Sequence, residues 1–190
     1  MKVAIKSVLS FLVFCAVVAA AQQASAPPSS VGAVLARQFS GAQDEFVGAA
    51  EAMPEDKFNY APTQGEFKGV RSFAQQIKHV GAANYMICSG MFEEKAPAEI
   101  GSENGPEAMK SKADIVKFAR DSFSYCNGVL NRITAENQLK QVKSPFGPGT
   151  TTTLALAVLN QGHVFDHYGQ VVEYLRSNGI IPPASRPQQR

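Results

Sequence analysis

The chain has 190 residues, enough for one domain with a substantial core. Its 18 Lys and Arg against 16 Asp and Glu leave a formal charge of +2. That near balance excludes the generic basic footprint of a nucleic-acid-binding protein. There is no tryptophan, and there are only three histidines and three cysteines.

The first stretch, MKVAIKSVLSFLVFCAVVAAAQQASA, carries Lys2 and Lys6 and then an apolar run from Val8 to Ala21. Small residues at Ala19 and Ala21 have the spacing that a signal peptidase reads. The pattern predicts a secretory signal peptide over residues 1–21, cleaved after Ala21 or, as the second choice, after Ala26. The run is shorter than the ~20 residues a membrane span needs, so no stable span is expected after cleavage. Loss of the two lysines brings the basic residues to 16, equal to the acidic ones. Long-range electrostatic steering is then not expected to define a partner. The implied compartment is secreted or periplasmic. Cys15 leaves with the signal. Cys88 and Cys126 remain, either paired in an oxidising compartment or buried as free thiols.

Residues 22–30 are polar and contain prolines, and they read as a flexible lead-in. Ser30 can cap a first helix, in which Val31, Val34, Leu35, Phe39, Ala42, Phe46, Ala49 and Met53 recur at helical spacing. Pro54 ends it. A connector rich in Pro and Gly leads to a second helix, about Val70 to Phe92, with Phe73, Ile77, Asn84 and Ile87 on one face. After a charged loop, a third helix runs from about Lys112 to Ile133. Residues 134–150 form a second long loop. Thr151 to Thr153 then cap a fourth helix whose buried region begins with Leu154, Leu156, Val158 and Leu159 and which continues to Arg176. Gly179 and Pro182 stop it. No segment alternates strongly enough for a central strand. The fold class expected is all-α, a four-helix bundle over residues 31–183 with a flexible tail at 184–190.

His163 and His167 are four residues apart on the fourth helix, one turn apart on one face. That is a spacing by which two imidazoles bind one metal ion, and it is also the spacing of two polar residues that merely share a face. A zincin places a glutamate directly after the first histidine; Val164 stands there, which excludes a metallopeptidase of that type. His79 lies within the second helix, and in a bundle two facing helices can close one site. Three neutral imidazoles with open positions beside them would make a catalytic type of metal site.

The stretches FAQQIKHVGAANYMICSG and LNQGHVFDHYGQVVEYLRSNGIIPP together resemble the DinB/YfiT-like superfamily of metalloenzymes. The matching positions are His79, the His163 and His167 pair, Gly169-Gln170, Leu175-Arg176, and Gly179 with Pro182. The connector MPEDKFNYAPTQGEFKGVRSF also resembles that family's, with Phe67 near the place of its usual tryptophan. The resemblance covers about Val31 to Pro183. It implies a four-helix bundle holding a divalent metal, zinc or nickel, on His79, His163 and His167. It also implies an enzyme acting on a small molecule by thiol transfer or by hydrolysis, and a homodimer. Export is a departure from a mostly cytoplasmic family, and it weakens thiol transfer. A non-catalytic metal- or ligand-binding bundle of the cell envelope is the alternative.

Around the histidine pair, Gln170 can bond a ligand or orient a histidine, or simply pack. Asp166 can act as an acid–base group or sit on the solvated face. Asn160 and Tyr174 extend the same stripe, as pocket lining or as packing.

Overall fold

The computed structural model describes residues 28–187. The signal segment, both cleavage positions, most of the lead-in and the last three residues of the tail lie outside the described residues. Four helices carry the fold: α1 (Val31–Ala52), α2 (Phe73–Gly90), α3 (Lys112–Leu130) and α4 (Thr153–Ser177). Each starts where a hydroxyl satisfies the free amides of its first turn. Ser30 accepts from Ala33 N–H, Ser111 from Asp114 N–H and Thr152 from Ala155 N–H. Ser72 forms a full capping box with Gln75.

The second helix begins at Phe73, later than the apolar pattern implies. The connector explains this. Its carbonyls at Tyr60 and Phe58 take the amides of Phe73 and Ala74, at 2.8 Å each. The start of α2 is thereby stitched to the segment leading out of α1. Residues 134–150, expected as loop, contain half of a small antiparallel hairpin. In it β1 (Gln141–Lys143) pairs with β2 (Thr150–Thr152), in register Val142 opposite Thr151. The hairpin delivers Thr152 to its capping position on α4.

α2 lies between α3 and α4, and α1 closes the bundle against the same two helices. The core between them holds Phe39, Phe46 and Phe123, with ring centroids 5.0 and 5.8 Å apart. On α1, Val31 and Val34 were expected inward but are exposed, and Gly32 and Ala36 are buried instead. The cause is close approach: a Cβ at Gly32 would stand 2.5 Å from the Ile133 carbonyl oxygen and 2.6 Å from that of Leu130. On α4, Val158 and Leu159 were likewise expected inward and are exposed, while Leu156, Ala157 and Asn160 are buried. Asn160 faces in because its Nδ2 donates to the sulfurs of Cys88 and Cys126, at 3.4 and 3.6 Å.

Those two cysteines form a disulfide between α2 and α3, with Cα atoms 5.5 Å apart. Both residues are fully buried. Of the two readings of this pair, the disulfide is the one the fold adopts. No helix of the described residues is long and apolar enough to cross a membrane.

A link across a sequence separation of 38 residues restricts the unfolded chain. Loss of it is expected to cost about 4 kcal/mol on the chain-entropy relation. Urea denaturation of the Cys88→Ala/Cys126→Ala variant should therefore show a lower midpoint. A variant as stable as the parent would show that the link contributes nothing.

Candidate metal centre

The α2–α4 face brings the three histidines together. One ring nitrogen of each lies within 4.8 Å of the others. The ring centroids are 4.5 Å apart for His163 and His167, 4.6 Å for His79 and His167, and 5.1 Å for His79 and His163. His167 is buried, and His79 and His163 are half-buried. The i,i+4 pair comes from one turn of α4, and His79 from the facing turn of α2.

What each ring does with its other nitrogen decides what it can bind. His79 Nδ1 donates to the Glu103 carbonyl oxygen. His167 Nδ1 donates to Gln76 Oε1 at 2.7 Å. Both contacts fix the proton on Nδ1 and leave the Nε2 lone pair free, as in metal-ligating histidines. His79 Nε2 and His163 Nε2 are 3.1 Å apart. Two nitrogens bound to one ion at ~2.0–2.1 Å, with an angle near 100°, have about that separation. His163 Nδ1 is buried without a partner among the described residues, so no neighbour fixes this third ring. The donor set and its outer contacts fit a divalent ion.

Burial keeps these rings neutral. Desolvation, then the neighbouring imidazoles, lowers His167 to about 3 and His163 to about 4. His79 is lowered too, chiefly by burial. The Arg71 guanidinium adds to the effect on all three. Neutral imidazole is the form that ligates a metal.

The loop between α2 and α3 is anchored over this site. Arg71 Nε donates to Asn104 Oδ1 at 2.8 Å and its Nη2 to Glu103 Oε1 at 2.5 Å. Lys78 Nζ donates to the carbonyls of Pro106 and Met109, at 3.0 and 3.4 Å. Gly105 (φ +73°) makes this possible, since a Cβ there would stand 2.6 Å from Lys78 Cβ. Glu103 therefore reaches the site twice, by its side chain to Arg71 and by its carbonyl to His79.

The residues singled out around the pair divide. Gln170 Oε1 accepts from Gln76 Nε2 at 2.8 Å, so it steadies the group that holds His167. Asp166 is exposed, and its contact is an acceptance from Gln170 Nε2 at 3.1 Å. Tyr174 is buried and donates to the Arg71 carbonyl at 2.8 Å. Asn160 faces the disulfide. Gln76, Arg71 and Glu103 were not anticipated. Gln76 had a signal, standing one helical turn before His79. Glu103 had none, because it acts through its backbone.

Removing a carboxamide that orients a ligand typically lowers metal affinity by about 10–100-fold. Gln76→Leu should fall in that range in a competitive chelator titration, with helicity by circular dichroism unchanged; unchanged affinity would deny Gln76 an orienting role. The lowered histidine values also fix a sign. The unfolded chain takes up protons below ~6.5 and the folded, metal-free cluster does not until about 4 or 3. Stability of chelator-treated protein is thus fully present above pH 6.5 and declines as the pH falls toward 4. Melting curves between pH 7 and 5, above the main carboxylate range, should show that decline. It should flatten in His163→Gln/His167→Gln.

The comparisons with known proteins agree with this architecture. Two solved structures share the fold. One is a DinB-like protein from Bacillus cereus with 15% identity and a TM-score of 0.63, covering 78% of this chain and 93% of that one. The other is a DinB-like protein from Bacillus subtilis with 18% identity and a TM-score of 0.58, covering 77% and 92%. No curated protein sequence matches significantly. Residues 38–171, most of the bundle and all three histidines, match the DinB superfamily, and the chain belongs to it.

Proposed function

We propose that this protein is an exported metal-dependent enzyme that binds one divalent ion, zinc or nickel, on His79, His163 and His167 and acts on a small molecule. The carrying observation is the convergence of three neutral imidazoles whose outer nitrogens, at His79 and His167, are already committed to Glu103 and Gln76. Three protein ligands leave coordination positions for water or substrate. A bound ion supplies Lewis-acid activation of a coordinated water or thiol.

The chain's own residues supply the rest. Gln76 and Glu103 hold two rings in the ligating tautomer. Arg71 places a cation beside the cluster, held by Asn104 and Glu103. Gln170 presents a carboxamide one helical turn beyond Asp166. Hydrolysis is favoured over thiol transfer, because low-molecular-weight thiols are chiefly cytoplasmic. Support for export comes from the N-terminal pattern and from the Cys88–Cys126 disulfide, a bond that persists in oxidising compartments.

A specific observation favours a second reading, a non-catalytic metal- or ligand-binding protein of the cell envelope. Asp166, the acid nearest in sequence to the histidine pair, faces solvent and is engaged by Gln170, so it is not set to move a proton at the cluster.

Element-resolved analysis of the purified protein after reconstitution should give one divalent ion per chain. His79→Ala and His163→Ala should each lose it. A chain that takes up no ion would sink both readings. Stoichiometric metal without turnover on ester, amide and thiol-adduct panels would select the second.

A further inference from the structure

We propose that a cleft beside the metal centre, between the α1–α2 connector and the second half of α4, is a binding site for a small organic cation with an aromatic or apolar body. The cleft has a volume of about 530 Å³, within the range of small-molecule sites. Its walls are Tyr60, Phe67, Val70 and Tyr174. Among the described residues, Glu173 is the one charged residue that lines it, and no Lys, Arg or His does. Among these residues an anion would find no counter-charge, and a cation finds a carboxylate beside aromatic side chains.

The aromatic residues are placed for this role. Tyr60 and Tyr174 meet edge to face, 5.8 Å between centroids and 86° between planes. The Tyr174 hydroxyl is committed to the Arg71 carbonyl, which fixes its ring. Phe67 is 43% exposed, so part of its side chain remains open at the cleft. Three aromatic side chains and one acid about a single cavity match the way alkylammonium groups are recognised.

The cleft also adjoins the histidines. Gln170 lines it and accepts from Gln76, and Gln76 accepts from His167 Nδ1. An occupant touching Gln170 stands two hydrogen bonds from a metal-ligating ring. This assignment deepens the enzyme reading by naming a class of ligand, and it rests on that reading only for calling the ligand a substrate.

The test is an NMR titration of the isotope-labelled protein with benzyltrimethylammonium, benzyl alcohol and benzoate, run on metal-loaded and on chelator-treated samples. The cation should bind saturably and shift Phe67, Gln170 and Tyr174. Its Kd should be about fivefold below that of benzyl alcohol, as one cation–π contact with one exposed carboxylate supplies. Benzoate should bind weakest. Phe67→Ala should weaken all the ligands. Glu173→Gln should reduce the preference for the cation to about two- to threefold, the part that the cation–π contact supplies, and leave benzyl alcohol unchanged. Both substituted residues are exposed and outside the histidine cluster, so metal content should stay at the parental level. No saturable binding, shifts elsewhere, or equal affinity for benzoate would overturn the proposal. Cation binding by a protein that takes up no metal would uphold the cleft and sink the metal reading, and metal uptake without cation binding would do the reverse.

Discussion

The register of α2 against α4 is the constraint on which this site depends. His79 belongs to one helix and the His163–His167 pair to the other, so a slip of one residue, ~1.5 Å along the axis, would separate them. One hydrogen-bond chain pins that register: Gln170 on α4 to Gln76 on α2, and Gln76 back to His167 on α4. A ladder that crosses the interface twice is specific in a way that apolar packing is not. Apolar side chains tolerate repacking, whereas a buried carboxamide that loses its partner carries the full desolvation cost.

The cluster is costly on its own. Three imidazoles are held side by side, largely out of water, with an arginine next to them. Burial and Arg71 oppose protonation of all three, whereas Glu103 at His79 and Asp166 at His163 act the other way and are outweighed. Such an arrangement is destabilising in acid, and its neutral nitrogens are the form in which imidazole ligates a divalent ion. Glu103 illustrates how the loop accommodates this. Its carbonyl takes the His79 proton while its carboxylate engages Arg71, so one residue handles a donor and a charge at the rim of the site.

Much of this was legible in the sequence. Capping hydroxyls and apolar spacing located the helices to within a few residues, because both are local properties of the chain. The three histidines were legible as a set once the second and fourth segments were taken as helices of one bundle. Gln170 was legible as a neighbour of the pair. Helix rotation was less so. Val158 and Leu159 were assigned inward on hydrophobicity alone, but the face that α4 buries runs through Leu156, Ala157, Asn160, Val164, Val171 and Leu175 and leaves those two outside. Val31 and Val34 went wrong for a related reason. A backbone-to-backbone approach at Gly32 sets that end of α1, and side-chain periodicity has no means of registering a glycine contact. The carbonyl contact of Glu103 was illegible in principle, since a carbonyl acts in the same way whatever side chain it carries, and its carboxylate contact with Arg71 depends on a loop path that has no periodicity.

The covalent link and the histidine site draw on the same helices. Cys88 is nine residues beyond His79, about 13.5 Å along α2 at a rise of 1.5 Å per residue. The disulfide therefore lies well along α2 from His79, and its Asn160 contact brings it to within one turn of His163 on α4, so it supports the core next to the histidines. Covalent linkage there limits how far the helices can slide, while the loop over the histidines is held by hydrogen bonds from Arg71, Lys78 and His79. Covalent linkage and hydrogen bonding thus hold different parts of the same three-helix core, the first resistant to exchange and the second not.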